Sequence, residues 1–306
     1  MIGNECLALR LSFDCNAFPK NSINILYISF MIEAKKFVGI ISQYGSSIPF
    51  SIICGNRKKW VVKAKKIGKN SKRLLSEYLS GILAKEIGLS RPNVELVRIS
   101  NNIFEELRQM TDVFDVSCSF GVAIEYFEGL VPVLPPPNVE LSSPDLPKRN
   151  KEYLSGQLFD EKSFDQFYGL NVFSEWILLR DYHKYSNLQK TNNNEVIFLD
   201  FDMAFRSNGD DFELPTHYDY VKMISLQAPF LEGIITQKEK FVAWFNKLEL
   251  LEKNKLSDKI LEIPNCWGVP DNYTDSLLNF LFDHRKEFVE QFLKAFEFRE
   301  ETSEFD

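Results

Sequence analysis

Cysteine is scarce in this sequence and follows no pattern. The five cysteines, Cys6, Cys15, Cys54, Cys118 and Cys266, are scattered, odd in number and form no C-x-x-C pair. That argues against a disulfide framework or a zinc site, and a reducing cytoplasm fits best. Long apolar runs are also missing. A membrane helix needs about 20 apolar residues in a row. The segment "INILYISFMI" (Ile23 to Ile32) is too short and is interrupted by Asn24 and Ser29. The N-terminus lacks the basic start of a signal peptide. No membrane association is therefore expected. Positive charge is in deficit too, with 36 Lys and Arg against 43 Asp and Glu, a net −7. Such a chain lacks the clustered cations of a nonspecific nucleic-acid binder, so no nucleic-acid partner is expected. Its local basic stretch, Arg57 to Lys72, reads as a solvated strand pair and loop. Neither a G-x-G-x-x-G loop nor a P-loop is present.

What is present is apolar and aromatic. Hydrophobic residues make up 44% of the 306 positions, and 27 are phenylalanine, enough for a sizeable core. Residues 1–30 carry two cysteines and little periodicity, and read as an extension or a misassigned start. The main fold is expected to begin at Met31. Residues 31–130 read as a strand-rich part. "FVGIIS", "PFSIICG" and "KWVVKAK" are rich in β-branched and aromatic residues and are broken by Gly45 and Gly55–Asn56. A helix is predicted from Lys72 to Ile87, ending at Gly88. "SRPNVELVRI" reads as a turn into a strand, and "FGVAIEYFEG" (Phe120 to Gly129) as another strand. Residues 131–150 form a linker. The stretch "VPVLPPPNVELSSPDLPK" holds six prolines, too many for a helix or central strand. Residues 151–306 read as mostly helical. "SFDQFYGLNVFSEWILLR" is amphipathic at helical spacing, and "KEKFVAWFNKLELLEK" and "DSLLNFLFDHRKEFVEQFLKAFEF" are further helices. "EVIFLDFDMAF" (Glu195 to Phe205) interrupts them as a buried strand. The fold class is therefore α+β.

Phosphoryl transfer from ATP needs few protein parts: a lysine on the phosphates, carboxylates on Mg²⁺, and an aspartate to orient the attacking hydroxyl. Lys63 in "WVVK" is the lysine candidate. In a strand it shares a face with Val61, opposite Trp60 and Val62. Taken alone it is one of five lysines between Lys58 and Lys66. Glu77 is its candidate partner. It lies off the apolar helix face, beside Ser80, Gly81 and Ala84, whose small size admits a close neighbour. Alone it also reads as a surface glutamate. In "QYGSSIPF", Gly45 allows close backbone approach, and Ser46 and Ser47 can donate to phosphate oxygens. Alone this is a hairpin turn.

The sharpest signal is "VIFLDFDMAF". Asp200 and Asp202 end an apolar run, where carboxylates are costly unless paired or metal-bound. Mg²⁺ is their natural occupant, with Asp200 the chief ligand. The other reading is an acidic strand end capping a turn. Between helix and strand lies "RDYHKYSN". A kinase catalytic loop places its asparagine five residues after the aspartate, and here Asn187 is six after Asp181. Asp181 would orient the hydroxyl and Asn187 would ligate Mg²⁺. His183 or Lys184 could neutralise developing charge, although a hydrogen-bonded loop histidine explains His183 as well.

The order of these stretches resembles the HipA-like kinase family, in particular the small stand-alone HipA-like domain proteins of bacteria. The residues that carry the resemblance are "YGSSIPF", "WVVKAK", "LLSEYLSGILAKEIGLSRP", "IEYFEG", "DYHKYSN", "VIFLDFDMAF" and the closing "IPNCWGVPDNYTDSLLNFLFDHRKEFVEQFL". The resemblance implies a protein-kinase-like two-lobed fold, with a β-rich N-lobe and a mainly helical C-lobe. It implies ATP and Mg²⁺ as cofactors and Ser/Thr phosphorylation of a protein, or of the chain itself, as the activity. The phosphoacceptor could also be a small molecule. "AIEYFEG" would be the hinge, with backbone groups of Glu125, Tyr126 and Phe127 facing adenine. Ser46 and Ser47 are the nearest candidates for the family's autophosphorylated loop serine. The one-residue insertion leaves a second reading open: a nucleotide-binding pseudokinase acting as a regulatory module.

Overall fold

The computed structural model describes residues 31–42, 48–133, 159, 161–179, 187–205, 212–215, 217–218, 235 and 237–303. Gly45, Ser46, Ser47, Asp181, His183, residues 1–30 and most of the proline-rich linker lie outside these. The described elements belong to one compact unit that starts at Ile32.

The N-terminal part is a small closed barrel. Its strands are β1 (Ile32–Ile40), β2 (Phe50–Cys54), β3 (Lys59–Ala64), β4 (Val94–Arg98) and β5 (Phe120–Glu125). They follow the order β1-β2-β3-β5-β4, and a parallel pairing of β1 with β4 closes the ring. Alternation drives this. Trp60 and Val62 of β3 point inward with Phe37, Phe50, Ile52 and Val97, and all are buried. That leaves Val61 and Lys63 on the other face of β3.

Helix α1 (Lys72–Glu86) packs against the barrel. It stops as the sequence predicts. Gly88 has φ +73, Leu89 N–H donates to the Ala84 carbonyl at 2.9 Å and Gly88 N–H to Lys85 at 3.1 Å. These two bonds form a Schellman motif around a left-handed glycine. Gly81 lets the helix approach β4, since a Cβ there would lie 2.5 Å from a Val94 methyl. Helix α2 (Asn101–Arg108) has no counterpart in the sequence reading. It buries only Ile103, Phe104 and Leu107, about two turns of pattern, too few to stand out.

In the C-terminal part, α3 (Glu161–Trp176) departs from the expected amphipathic helix. Every residue from Gln166 to Trp176 is buried, including Asn171, Ser174 and Glu175. It is a central helix enclosed by neighbours rather than a half-exposed one. A second sheet runs β6-β7-β8, from Val131–Pro132, Leu188–Lys190 and Val196–Phe198. Pro132 sits on its edge strand, where a missing N–H is tolerated. The expected strand Glu195–Phe205 shortens to Val196–Phe198. Asp200, at φ +62, turns the chain out of the ladder, and Ala204 N–H folds back onto the Phe201 carbonyl. The remaining helices are α4 (Lys238–Glu249), α5 (Lys253–Leu261), α6 (Asp271–Asp283) and α7 (Arg285–Ser303), with a 3-10 turn at Asn265–Trp267. The first long helix read from the sequence, 238–253, ends early at Glu249, and the second, 275–298, is two helices broken at His284. Among the described residues no helix is long and apolar enough to cross a membrane.

One expectation is corrected. Cys118 and Cys266, read from their spacing as unrelated cysteines, form a disulfide with Cα atoms 5.4 Å apart. Their sequence separation of 148 residues hid the pairing, because only the fold brings the segment before β5 and the 3-10 turn together. Cys54 is a buried free cysteine, and its thiol is pushed up to about 11 by burial.

Candidate active site

Four elements meet at one cluster. Strand β3 supplies Lys63, α1 supplies Glu77, the turn after β8 supplies Asp200 and Asp202, and the turn before β4 supplies Arg91. Lys63 Nζ lies 2.7 Å from Glu77 Oε2, 2.5 Å from Asp200 Oδ1 and 3.3 Å from Asp202 Oδ2. Glu77 is wholly buried, not a surface residue, and its other oxygen accepts from Arg91 Nη2 at 2.7 Å. Arg73 approaches Asp202 at 3.7 Å. Among the described residues, three cations thus face three carboxylates.

The electrostatics follow from burial and pairing. Burial alone would pull the Lys63 ammonium down. Glu77, Asp202 and Asp200 outweigh that and raise it, so Lys63 is a fixed positive charge. Burial would push the Glu77 carboxyl up, but Lys63 and Arg91 hold it below the ordinary range. Asp202 goes the other way. Burial, helped by the neighbouring Asp200 and Glu77 charges, pushes it up to about 6 despite Lys63.

Above the cluster opens a cleft of about 810 Å³, within the range of small-molecule sites. Ile41, Val61, Ile124, Leu130, Leu199 and Met203 give it apolar walls, while Lys63, Asp200 and Asp202 line its polar end. Glu125, Tyr126 and Phe127 line it as well. Two of their three N–H groups are already used: Glu125 donates to the Asn93 carbonyl at 2.9 Å and Tyr126 to that of Lys59 at 3.2 Å. Glu125's side chain is also engaged, by Lys58 and Asn93. Any adenine contact is thereby narrowed to the Phe127 N–H and the backbone carbonyls. Asn187 is nearly buried, and its carbonyl accepts from Leu199 N–H at 2.9 Å, which sets it beside the residue preceding Asp200.

The cluster also fits a divalent ion. Glu77, Asp200 and Asp202 each offer an oxygen, all within 4.8 Å of one another. Hard carboxylate oxygens suit Mg²⁺ or Mn²⁺. Both Glu77 oxygens accept from cations at 2.7 Å, whereas Asp202 meets Lys63 and Arg73 only at 3.3 and 3.7 Å and Asp200 has one oxygen on Lys63, so Asp200 and Asp202 are the pair better placed to hold a metal. Asp200 is the more accessible, with 42% of its side chain exposed. Sequence reasoning thus reached Lys63, Glu77, Asp200 and Asp202 as one group. It missed Arg91, whose only signal was an arginine just past a helix end.

Residues 37–130 match the HipA-like kinase family. This is a kinase-like protein. Its HipA-like segment spans most of the barrel with α1, and so contains Lys63, Glu77 and Arg91. Solved structures that cover most of the chain are similar to it in fold. The Helicobacter pylori proinflammatory kinase CtkA superposes with a TM-score of 0.55 at 14% identity, covering 88% of this chain and 98% of its own. The Golgi casein kinase with Mn/ADP bound gives 0.54 at 12% identity, covering 92% of this chain and 78% of its own. At these identities they establish a protein-kinase-like fold. A comparison with curated protein sequences gives no match.

Proposed function

We propose that this kinase-like protein transfers the γ-phosphate of ATP to a Ser or Thr hydroxyl of a protein, itself included. The observation that carries this reading is the buried Lys63–Glu77 pair set beside Asp200 and Asp202 at the polar end of the cleft. Glu77 holds the Lys63 ammonium so that it can reach phosphate oxygens. Asp200 and Asp202, with Asn187 beside them, would hold Mg²⁺. When bound, the ion supplies charge neutralisation on the phosphates. The apolar walls take the base, with Phe127 at the hinge. Lys63 is bonded to both aspartates, so the site is cross-linked by its own charges until phosphate and metal replace those bonds. In this reading Asp181 orients the acceptor hydroxyl, Gly45, Ser46 and Ser47 approach the phosphates, and His183 stands near the developing charge.

The extra residue between Asp181 and Asn187 supports a second reading, a pseudokinase that binds nucleotide without transfer. Thermal shift tests the nucleotide binding that both readings share, and transfer of labelled γ-phosphate separates them. ATP with Mg²⁺ should raise the melting temperature of the wild type by mass action on the folded state. Lys63→Ala and Asp200→Ala should abolish the shift. No shift with wild type would overturn both readings.

A further inference from the structure

Arg91 is a nearly buried residue of the cleft wall that the chemistry above does not use. Its side chain is 1% exposed. One nitrogen, Nη2, donates to Glu77 at 2.7 Å, and the guanidinium stacks over the Phe201 ring at 4.5 Å. Phe201 is the residue between Asp200 and Asp202, buried against Phe173 of α3 with ring centroids 5.9 Å apart. Arg91 therefore touches the lysine's partner on one side and the aspartate turn on the other. Nε and Nη1 have no hydrogen-bond partner among the described residues. The group is held for its charge and its flat face, not for a full set of bonds.

The backbone that carries it is fixed to the helical part. Ser90 N–H donates to Gln166 of α3 at 2.7 Å, and Gln166 donates back to the Gly88 carbonyl at 3.1 Å. The Ser90 carbonyl accepts from Phe198 N–H of β8 at 2.9 Å. The segment that presents Arg91 is therefore anchored to both α3 and β8.

We infer that Arg91 is a positioning residue that locks Glu77 and the Asp200–Asp202 turn into one geometry through its ion pair and its stacking on Phe201. This rests on the nucleotide-site reading above. The ion pair does a further thing. When Lys63 turns toward a phosphate, Glu77 keeps one cation, so no buried carboxylate is stranded. Lysine could not do both jobs, since it lacks the planar fork that pairs on its edge and stacks on its face.

The test uses the full chain and titrates Mn²⁺ with ADP by calorimetry, alongside circular dichroism to confirm folding. Arg91→Met should weaken metal–nucleotide binding roughly 10- to 100-fold, the usual effect of removing a group that orients metal ligands. Arg91→Lys should recover only part of the loss. Wild-type affinity in folded Arg91→Met, or full recovery by lysine, would overturn the inference. If Arg91→Met does not fold, Phe201→Leu decides. It removes the stacking ring and spares the ion pair, and a loss of affinity supports the lock while unchanged affinity overturns it. Wild type that fails to bind Mn²⁺ and ADP at all overturns the function proposed above and this inference with it. Wild-type binding that is indifferent to Arg91 overturns this inference alone.

Discussion

Replacing Glu77 by glutamine should destabilise the protein more than removing Lys63. Glu77 has no exposed surface, and each of its oxygens lies 2.7 Å from a cation. In Glu77→Gln, Lys63 still has Asp200 at 2.5 Å and Asp202 at 3.3 Å. Arg91 has no other ion pair among the described residues, and its side chain is only 1% exposed. The cost is thus that of one stranded buried charge, about 3–5 kcal/mol. Lys63→Met leaves Glu77 paired with Arg91 and Asp202 near Arg73 at 3.7 Å, and Asp202, already pushed up to about 6, can take a proton in place of the lost cation, so its cost should fall in the ordinary range of about 0.5–3 kcal/mol. Urea unfolding followed by far-UV circular dichroism measures both. Adding Arg91→Met to Glu77→Gln should recover part of the loss, because the two residues share one interaction. A Glu77→Gln variant no less stable than Lys63→Met would refute the reasoning.

Three further outcomes follow from other parts of the fold. Gly81→Ala gains about 1 kcal/mol of helix propensity, but its Cβ would meet Val94 at 2.5 Å, an overpacking that costs about 1–3 kcal/mol. A net loss is expected in thermal melts, turning to a gain when Val94→Ala is added; a gain in the native background would contradict the contact. Glu125 is held below its ordinary range by hydrogen bonds from Lys58 and Asn93. Its contribution is therefore fully present above its unfolded value, near 4.5, and is lost as pH falls through the depressed folded value. Glu125→Gln should flatten that part of the stability–pH profile, and an unchanged profile would count against the pairing. Peptide mapping without reductant should recover Cys118 linked to Cys266, and reduction should cost about 2–4 kcal/mol. Both cysteines titrating as thiols in the unreduced, denatured chain would exclude the bond.

Much of the site was legible because its residues sit on regular elements. Strand alternation separates Val61 and Lys63 from Trp60 and Val62 without any tertiary knowledge. The small residues around Glu77 mark a helix face that something must approach, and Val94 of β4 does so. Two carboxylates after a buried apolar run can be read as a site because isolated they would be too costly. Other features depend on contacts distant in sequence. Arg91 looks like a turn residue until Glu77 and Phe201 surround it. Cys118 and Cys266 carry no spacing signal. The parallel pairing of β1 with β4, which closes the barrel, has no local signature. The burial of α3 from Gln166 to Trp176 was misread because Asn171, Ser174 and Glu175 look like a solvent face, yet all three are buried.

The most direct measurement is transfer of labelled γ-phosphate from ATP in the presence of Mg²⁺, to the chain itself or to an added protein, by wild type and by Asp181→Ala. The account predicts label on wild-type reactions and none with Asp181→Ala, while both proteins still show the ATP–Mg²⁺ thermal shift. A wild type that shows the shift and never transfers label would contradict it.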